Sequence, residues 1–137
     1  MYNLKFVKIN TILLLAVILL IQSCGSKNPP PPPPAEQQIA FTHNAGNNVL
    51  NPGSSLNFAV TLTSTMPAAG IKVEVSTKEE ASGNTVGANS SVNSTSSPVN
   101  VGVSGLPQQL WCIVTVKVTS AGTASNSATQ TFRVVNK

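Results

Sequence analysis

Residues 55–63 place a large apolar residue at every second position, with Leu56, Phe58, Val60 and Leu62 on one side and small or polar residues on the other. A period of two puts successive side chains on opposite faces of a strand, so this segment predicts a strand with one buried face. The pattern recurs along the chain. Ile71, Val73 and Val75 alternate with Lys72, Glu74 and Ser76, and Val99, Val101 and Val103 alternate with Asn100, Gly102 and Ser104. The longest stripe is Leu110, Cys112, Val114, Val116 and Val118. Phe132 and Val134 oppose Thr131 and Arg133, residues 39–42 form a shorter candidate, and residues 85–92 a weak one. No sustained i, i+3, i+4 apolar spacing predicts a helix in this part of the chain.

Turn chemistry separates the stripes: Asn51-Pro52-Gly53-Ser54, Met66-Pro67-Ala68-Ala69-Gly70, Ser82-Gly83-Asn84, Gly105-Leu106-Pro107 and Ala121-Gly122-Thr123. About seven short strands in about a hundred residues predict an all-β fold, a single immunoglobulin-like antiparallel β-sandwich over residues 39–137. One polar and one apolar face per strand is what two sheets packed face to face require.

The first 38 residues follow a different logic. Lys5 and Lys8 precede a ten-residue apolar run from Ile12 to Ile21, followed by Gln22-Ser23-Cys24. At about 1.5 Å per residue this run covers only about half of a ~30 Å hydrocarbon core, too short for a permanent span. A basic start, an apolar centre and a small residue before a cysteine are the marks of an export signal. The segment resembles a bacterial lipoprotein signal peptide, with Ile21-Gln22-Ser23-Cys24 as its lipobox; Gln22 departs from the small or aliphatic residue usual there. The resemblance implies cleavage after residue 23 and lipidation of Cys24, which would anchor the protein to a membrane through acyl chains. One acyl chain holds weakly and two or more hold stably. Gly25 after the cysteine, where an Asp would retain the protein at the inner membrane, implies the outer membrane. The acid-free stretch Gly25-Ser26-Lys27-Asn28 favours the periplasmic face over the cell surface.

Residues 29–34 are six consecutive prolines. Such a run adopts polyproline II, about 3.1 Å per residue, and makes a stiff spacer of roughly 19 Å. Residues 24–38 thus read as a lipidated tether, completed by Ala35-Glu36-Gln37-Gln38.

The C-terminal third carries a second resemblance. Gly105-Leu106-Pro107, then Trp111-Cys112-Ile113-Val114-Thr115-Val116-Lys117-Val118, then Ala121-Gly122-Thr123-Ala124-Ser125-Asn126-Ser127, is similar to the last two strands of fibronectin type III and related immunoglobulin-like domains. Two registers compete. In the fibronectin register Trp111 takes the place of the corner tyrosine, eleven residues before Gly122, and its hydroxyl is missing. In the immunoglobulin register Leu110 is the corner and Cys112 the core cysteine. Leu56, Phe58 and Val60 on the facing strand offer no cysteine, so that register implies no inter-sheet disulfide.

Candidate chemistry is sparse. The chain has four acids, Glu36, Glu74, Glu79 and Glu80, and no Asp. Oxygen-rich calcium sites and a Ser-His-Asp triad are therefore not expected. The single histidine, His43, reads as a surface or strand-end residue. Glu79-Glu80 reads as a solvated pair, and Cys112 as a small buried hydrophobe. One histidine and one unlipidated cysteine do not make a metal set, so no metal, no cofactor and no catalytic residue is expected. The formal charge of +4 falls to +2 without Lys5 and Lys8, since six cations then face four Glu. These charges are scattered, so nucleic acid is not an expected partner. Trp111 faces opposite the main stripe of its strand and is the candidate binding residue, for an envelope protein or a glycan. The Ser/Asn-rich stretch from residue 82 to 97 is a second possible contact surface. The expected role is that of a non-enzymatic envelope lipoprotein with a structural or protein-interaction domain; the alternative is a glycan- or peptide-binding module.

Overall fold

The alternating stripes become strands because only a pleated backbone turns every second side chain toward one core. The computed structural model describes residues 34–137; the leader, Cys24 and residues 29–33 of the proline run lie outside the described residues. Within the compact unit Ala35–Lys137 the strands are β1 (Phe41–His43), β2 (Asn48–Asn51), β3 (Ser55–Leu62), β4 (Ile71–Glu79), β5 (Ser90–Ser94), β6 (Val99–Ser104), β7 (Trp111–Ser120) and β8 (Ser127–Asn136). They form a three-stranded sheet, β1-β3-β6, and a five-stranded sheet, β2-β8-β7-β4-β5. This is an immunoglobulin-like β-sandwich.

All pairings between the eight strands are antiparallel except one. β1 pairs antiparallel with β3, and after residues 44–47 the chain changes sheets, so that β2 lies parallel to β8. The core lies between the sheets. Phe58, Val60, Val99, Val101 and Val103 from the smaller sheet face Val73, Val75, Val114, Val116, Val118, Phe132 and Val134 from the larger. Each fully buried side chain of this size contributes roughly 1.5–3 kcal/mol. Phe58 and Phe132 meet edge to face across the gap, ring centroids 5.2 Å apart.

Three sequence expectations change. Leu110 is not the first member of the buried stripe: β7 begins at Trp111, and Leu110 is 42% exposed. Gln109 before it has a φ of 60°, a left-handed turn that re-aims the chain just before the strand. The weak candidate at 85–92 resolves into β5 at Ser90–Ser94, with only an isolated bridge from Thr85 to Lys78. β2 has no counterpart in the sequence reading.

Strand directions give the sandwich two distinct ends. The chain enters β1 beside the β7–β8 turn (residues 121–126) and the β3–β4 loop. Asn126 makes this junction: its Oδ1 accepts from Ile39 N at 2.8 Å, and its Nδ2 donates to Gln37 O at 2.9 Å and Glu36 Oε2 at 3.2 Å. Thr65 N donates to Gln37 Oε1 at 3.0 Å. Among the described residues this hydrogen bonding therefore reaches back past Ile39 to Glu36. The opposite end carries the β2–β3, β4–β5 and β6–β7 connections and the C-terminal residue. β8 runs ten residues between the two ends, about 34 Å at a strand's rise.

Candidate functional site

Trp111 opens β7 at the end of the sandwich far from residue 35. Even-numbered residues of β7 point into the core, so Trp111, Ile113 and Thr115 lie on the outer face of the five-stranded sheet. Register places Leu50 beside Val135, and Val135 beside Trp111. These three side chains form one row across β2, β8 and β7, about 10 Å from edge to edge at normal strand spacing. Val135 is buried between its neighbours although it lies on the outer face. Leu50 is 57% exposed.

Arg133 lies one pleat along β8, opposite Ile113. Its guanidinium carbon sits 4.5 Å from the centroid of the Trp111 ring, a cation–π contact. The same guanidinium donates from Nε to Glu80 Oε2 at 3.1 Å, and Glu80 N donates to Trp111 O at 2.9 Å. Trp111, Arg133 and Glu80 are thus locked to one another from three strand ends. Beside them a groove of about 290 Å³ is lined by Glu79, Glu80, Ala81, Gln109, Leu110 and Trp111. Gln109 N donates to Asn136 O at 2.7 Å, fixing one wall of the groove to the end of β8.

The expected Trp111 position on the outer face is observed, with the residue partly buried and one face of its ring taken by Arg133. Glu79 and Glu80 do not act as a pair: Glu79 accepts from Ser82 Oγ at 2.7 Å, whereas Glu80 engages Arg133. Cys112 points into the core as a free thiol, as the immunoglobulin register implies. Burial pushes its thiol up, and the nearby Glu79 charge adds to this. His43 is more than a strand-end residue. Its ring packs on Phe132 at 4.9 Å and Phe58 at 6.3 Å, and its buried Nδ1 has no hydrogen-bond partner. Burial holds its pKa below the usual 6.5. Cys24, the expected lipidation site, lies outside the described residues.

Part of the Ser/Asn-rich stretch forms a second groove, about 360 Å³, where Asn89, Ser90 and Ser91 face Glu74, Ser76, Thr115 and Lys117. A Lys72 hydrogen bond holds the Glu74 carboxyl below its usual range, with help from the Lys72 and Lys117 charges. Among the described residues no three His, Cys, Asp or Glu side chains converge to hold a metal ion. Leu50, Val135, Arg133 and Glu80 were not legible as site residues, because only the β2–β8–β7 register and the β4 end bring them to Trp111. The surface around Trp111, at the end of the sandwich far from residue 35, combines apolar area with one paired cation and anion, centred on tryptophan and arginine, residue types enriched at protein contact centres.

No protein-family model matches this chain, and no curated protein matches it.

Proposed function

We propose that the chain is a non-enzymatic envelope lipoprotein, anchored by acyl chains on Cys24 and carrying an immunoglobulin-like domain for protein contact at the outer membrane, on its periplasmic side. The lipobox-like segment and the proline run support the anchor and the spacer. One observation carries the interaction role: Trp111 and its row lie at the opposite end of the sandwich from Asn126, which fixes the chain where it enters the domain. A spacer of roughly 19 Å and a domain about 34 Å long suit a surface meant to be reached away from a membrane.

The anchor is tested by Cys24→Ala. The expected outcome is loss of fatty-acid labelling and release from the membrane fraction. Unchanged fractionation with the outer membrane would overturn the anchor. A second reading, a glycan- or peptide-binding module, draws support from the groove beside Trp111. Because Arg133 already covers one face of the ring, a sugar would stack there only after displacing it. Glycan-array binding that is lost in Trp111→Ala would favour this second reading over the first.

A further inference from the structure

We infer that the open edge of β2 receives an extended peptide strand of a partner protein, which pairs with the outward N–H and C=O groups of Asn48 and Leu50 and lays an apolar side chain against Leu50. The inference rests on the protein-contact reading above and deepens it by naming the kind of partner and the element that receives it.

Three observations carry it. First, the register fixes which backbone groups of β2 are free. β2 runs parallel to β8, with Arg133 N donating to Asn47 O and Lys137 N to Asn51 O, each at 2.9 Å. Backbone groups of successive strand residues point to alternate sides, so those of Asn47, Val49 and Asn51 face β8. Those of Asn48 and Leu50 point the other way. β2 ends its sheet, and among the described residues no strand lies on that side. Two N–H donors and two C=O acceptors in a row are the template that another strand completes.

Second, the four sheet edges differ. β6 is partly covered, since Ala88 N donates to Ser104 O and Ser90 Oγ to Gly102 O, both at 3.2 Å. β1 has only three residues, and its Phe41 O is taken by Gln130 Nε2 at 2.6 Å. β5 presents Ser91 and Asn93 outward, with Val92 packed against the core. Only β2 sets an exposed large apolar side chain, Leu50, beside its free backbone groups. Third, β2 lacks the usual guards of an edge: Asn48-Val49-Leu50-Asn51 holds no charge and no proline.

The same geometry defines the occupant. Gly46, at φ 81°, turns the chain ahead of β2 and Pro52 follows it, so the receiving edge is four residues long. Asn51 Nδ2 pins its end by donating to Ser55 O at 3.0 Å. A visiting strand lies about 4.8 Å beyond β2 and continues the row Trp111–Val135–Leu50, so its side chain beside Leu50 is apolar. The partner is therefore a short, uncharged segment with apolar residues at alternate positions.

The test uses the full-length chain in detergent micelles and a fluorescent peptide of alternating threonine and valine with a lysine at each end. Nuclear magnetic resonance should show the Asn48 and Leu50 amide signals moving as the peptide is added. Ser91 and Asn93, on the opposite edge of the sheet, should stay unmoved. Leu50→Pro deletes an outward N–H and leaves each β2–β8 bond in place, a change that edge strands tolerate. It should weaken binding at least tenfold. The same peptide methylated on its backbone nitrogens, side chains unchanged, should bind the unaltered protein at least tenfold more weakly, which makes the test independent of how Leu50→Pro folds. Shifts at Ser91 and Asn93 in place of Asn48 and Leu50, binding that survives either change, or no binding at any soluble peptide concentration would overturn the inference. A glycan that binds and is lost in Trp111→Ala, with the peptide still docking on β2, would instead sink the protein-contact role of Trp111 and leave the β2 edge standing.

Discussion

Asn126 Oδ1 accepts the Ile39 backbone N–H at 2.8 Å, joining the turn between β7 and β8 to the residue that leads into β1. The bond spans 87 positions and is buried. The Asn126 backbone is itself held: its carbonyl accepts from Ser120 N and its N–H donates to Thr123 O, each at 2.9 Å. A small polar side chain thereby fixes where the leading segment meets the fold.

Replacing Asn126 with alanine leaves a buried N–H without a partner, a loss of about 1–3 kcal/mol. The midpoint of urea unfolding should fall accordingly, and residues 36–39 should become sensitive to proteases. Gln38→Ala is the control. It removes an exposed bond to Ser127 O, and its effect should stay within about 0.5 kcal/mol.

His43 makes stability depend on pH. Its folded pKa lies below the ordinary 6.5 because burial disfavours the imidazolium. The unfolded chain therefore binds the proton more readily, and stability rises with pH wherever that holds. His43 should contribute fully above about 6.5 and lose its contribution as pH falls through the lower folded value. Glu36, lowered first by its Ser120 hydrogen bond and then by Asn126, acts in the same direction in the carboxylate range below 4.5. Unfolding curves between pH 7 and 5 should show the slope in the parent and lack it in His43→Leu.

Cys112 should be inert in the folded protein. Its thiol is buried and its pKa raised, so little thiolate forms and little reagent reaches it. A maleimide should label it only in denaturant. Cys112→Val, similar in size and apolar, should cost under about 1.5 kcal/mol. Cys112→Asp should cost more than about 3 kcal/mol or abolish folding, because the pocket offers no partner for a charge.

Two glycines with positive φ should respond differently to alanine. Gly83 has φ 72° and open space around its missing Cβ, so Gly83→Ala pays only for the left-handed backbone, about 1 kcal/mol. Gly87 has φ 70°, but a Cβ there would run into the Ser104 carbonyl oxygen. Gly87→Ala should therefore cost at least about 2 kcal/mol more, read as the difference between the two denaturation midpoints.

The strands that the sequence revealed are those whose stripes face the core over several residues. β3, β4, β6 and β7 each carry three or more alternating apolar side chains, and each was placed within a few residues. β4 runs past Val75 to Glu79 because Thr77, a polar residue, also turns inward, which hydropathy alone does not register. β2 escaped because Asn48-Val49-Leu50-Asn51 is too short for a period, and its partner, β8, lies far along the chain. β5 was faint because Val92 is its one apolar residue. The site was legible only at its centre. Trp111 stood out by facing away from its own stripe, whereas Arg133 and Glu80, 53 positions apart in sequence, meet only through sheet register.

Local sequence determined the fold class, five of the seven connections between strands, the inward direction of Cys112 and the outward direction of Trp111. Each follows from alternation within one strand, a property of neighbouring residues. Tertiary structure decided what surrounds them. It set the row Leu50–Val135–Trp111, the Arg133 cap on the indole, the aromatic packing of His43 and the hold of Asn126 on Ile39. These are pairings between distant segments, and a strand's side-chain period says which face a residue occupies but not which strand lies beside it.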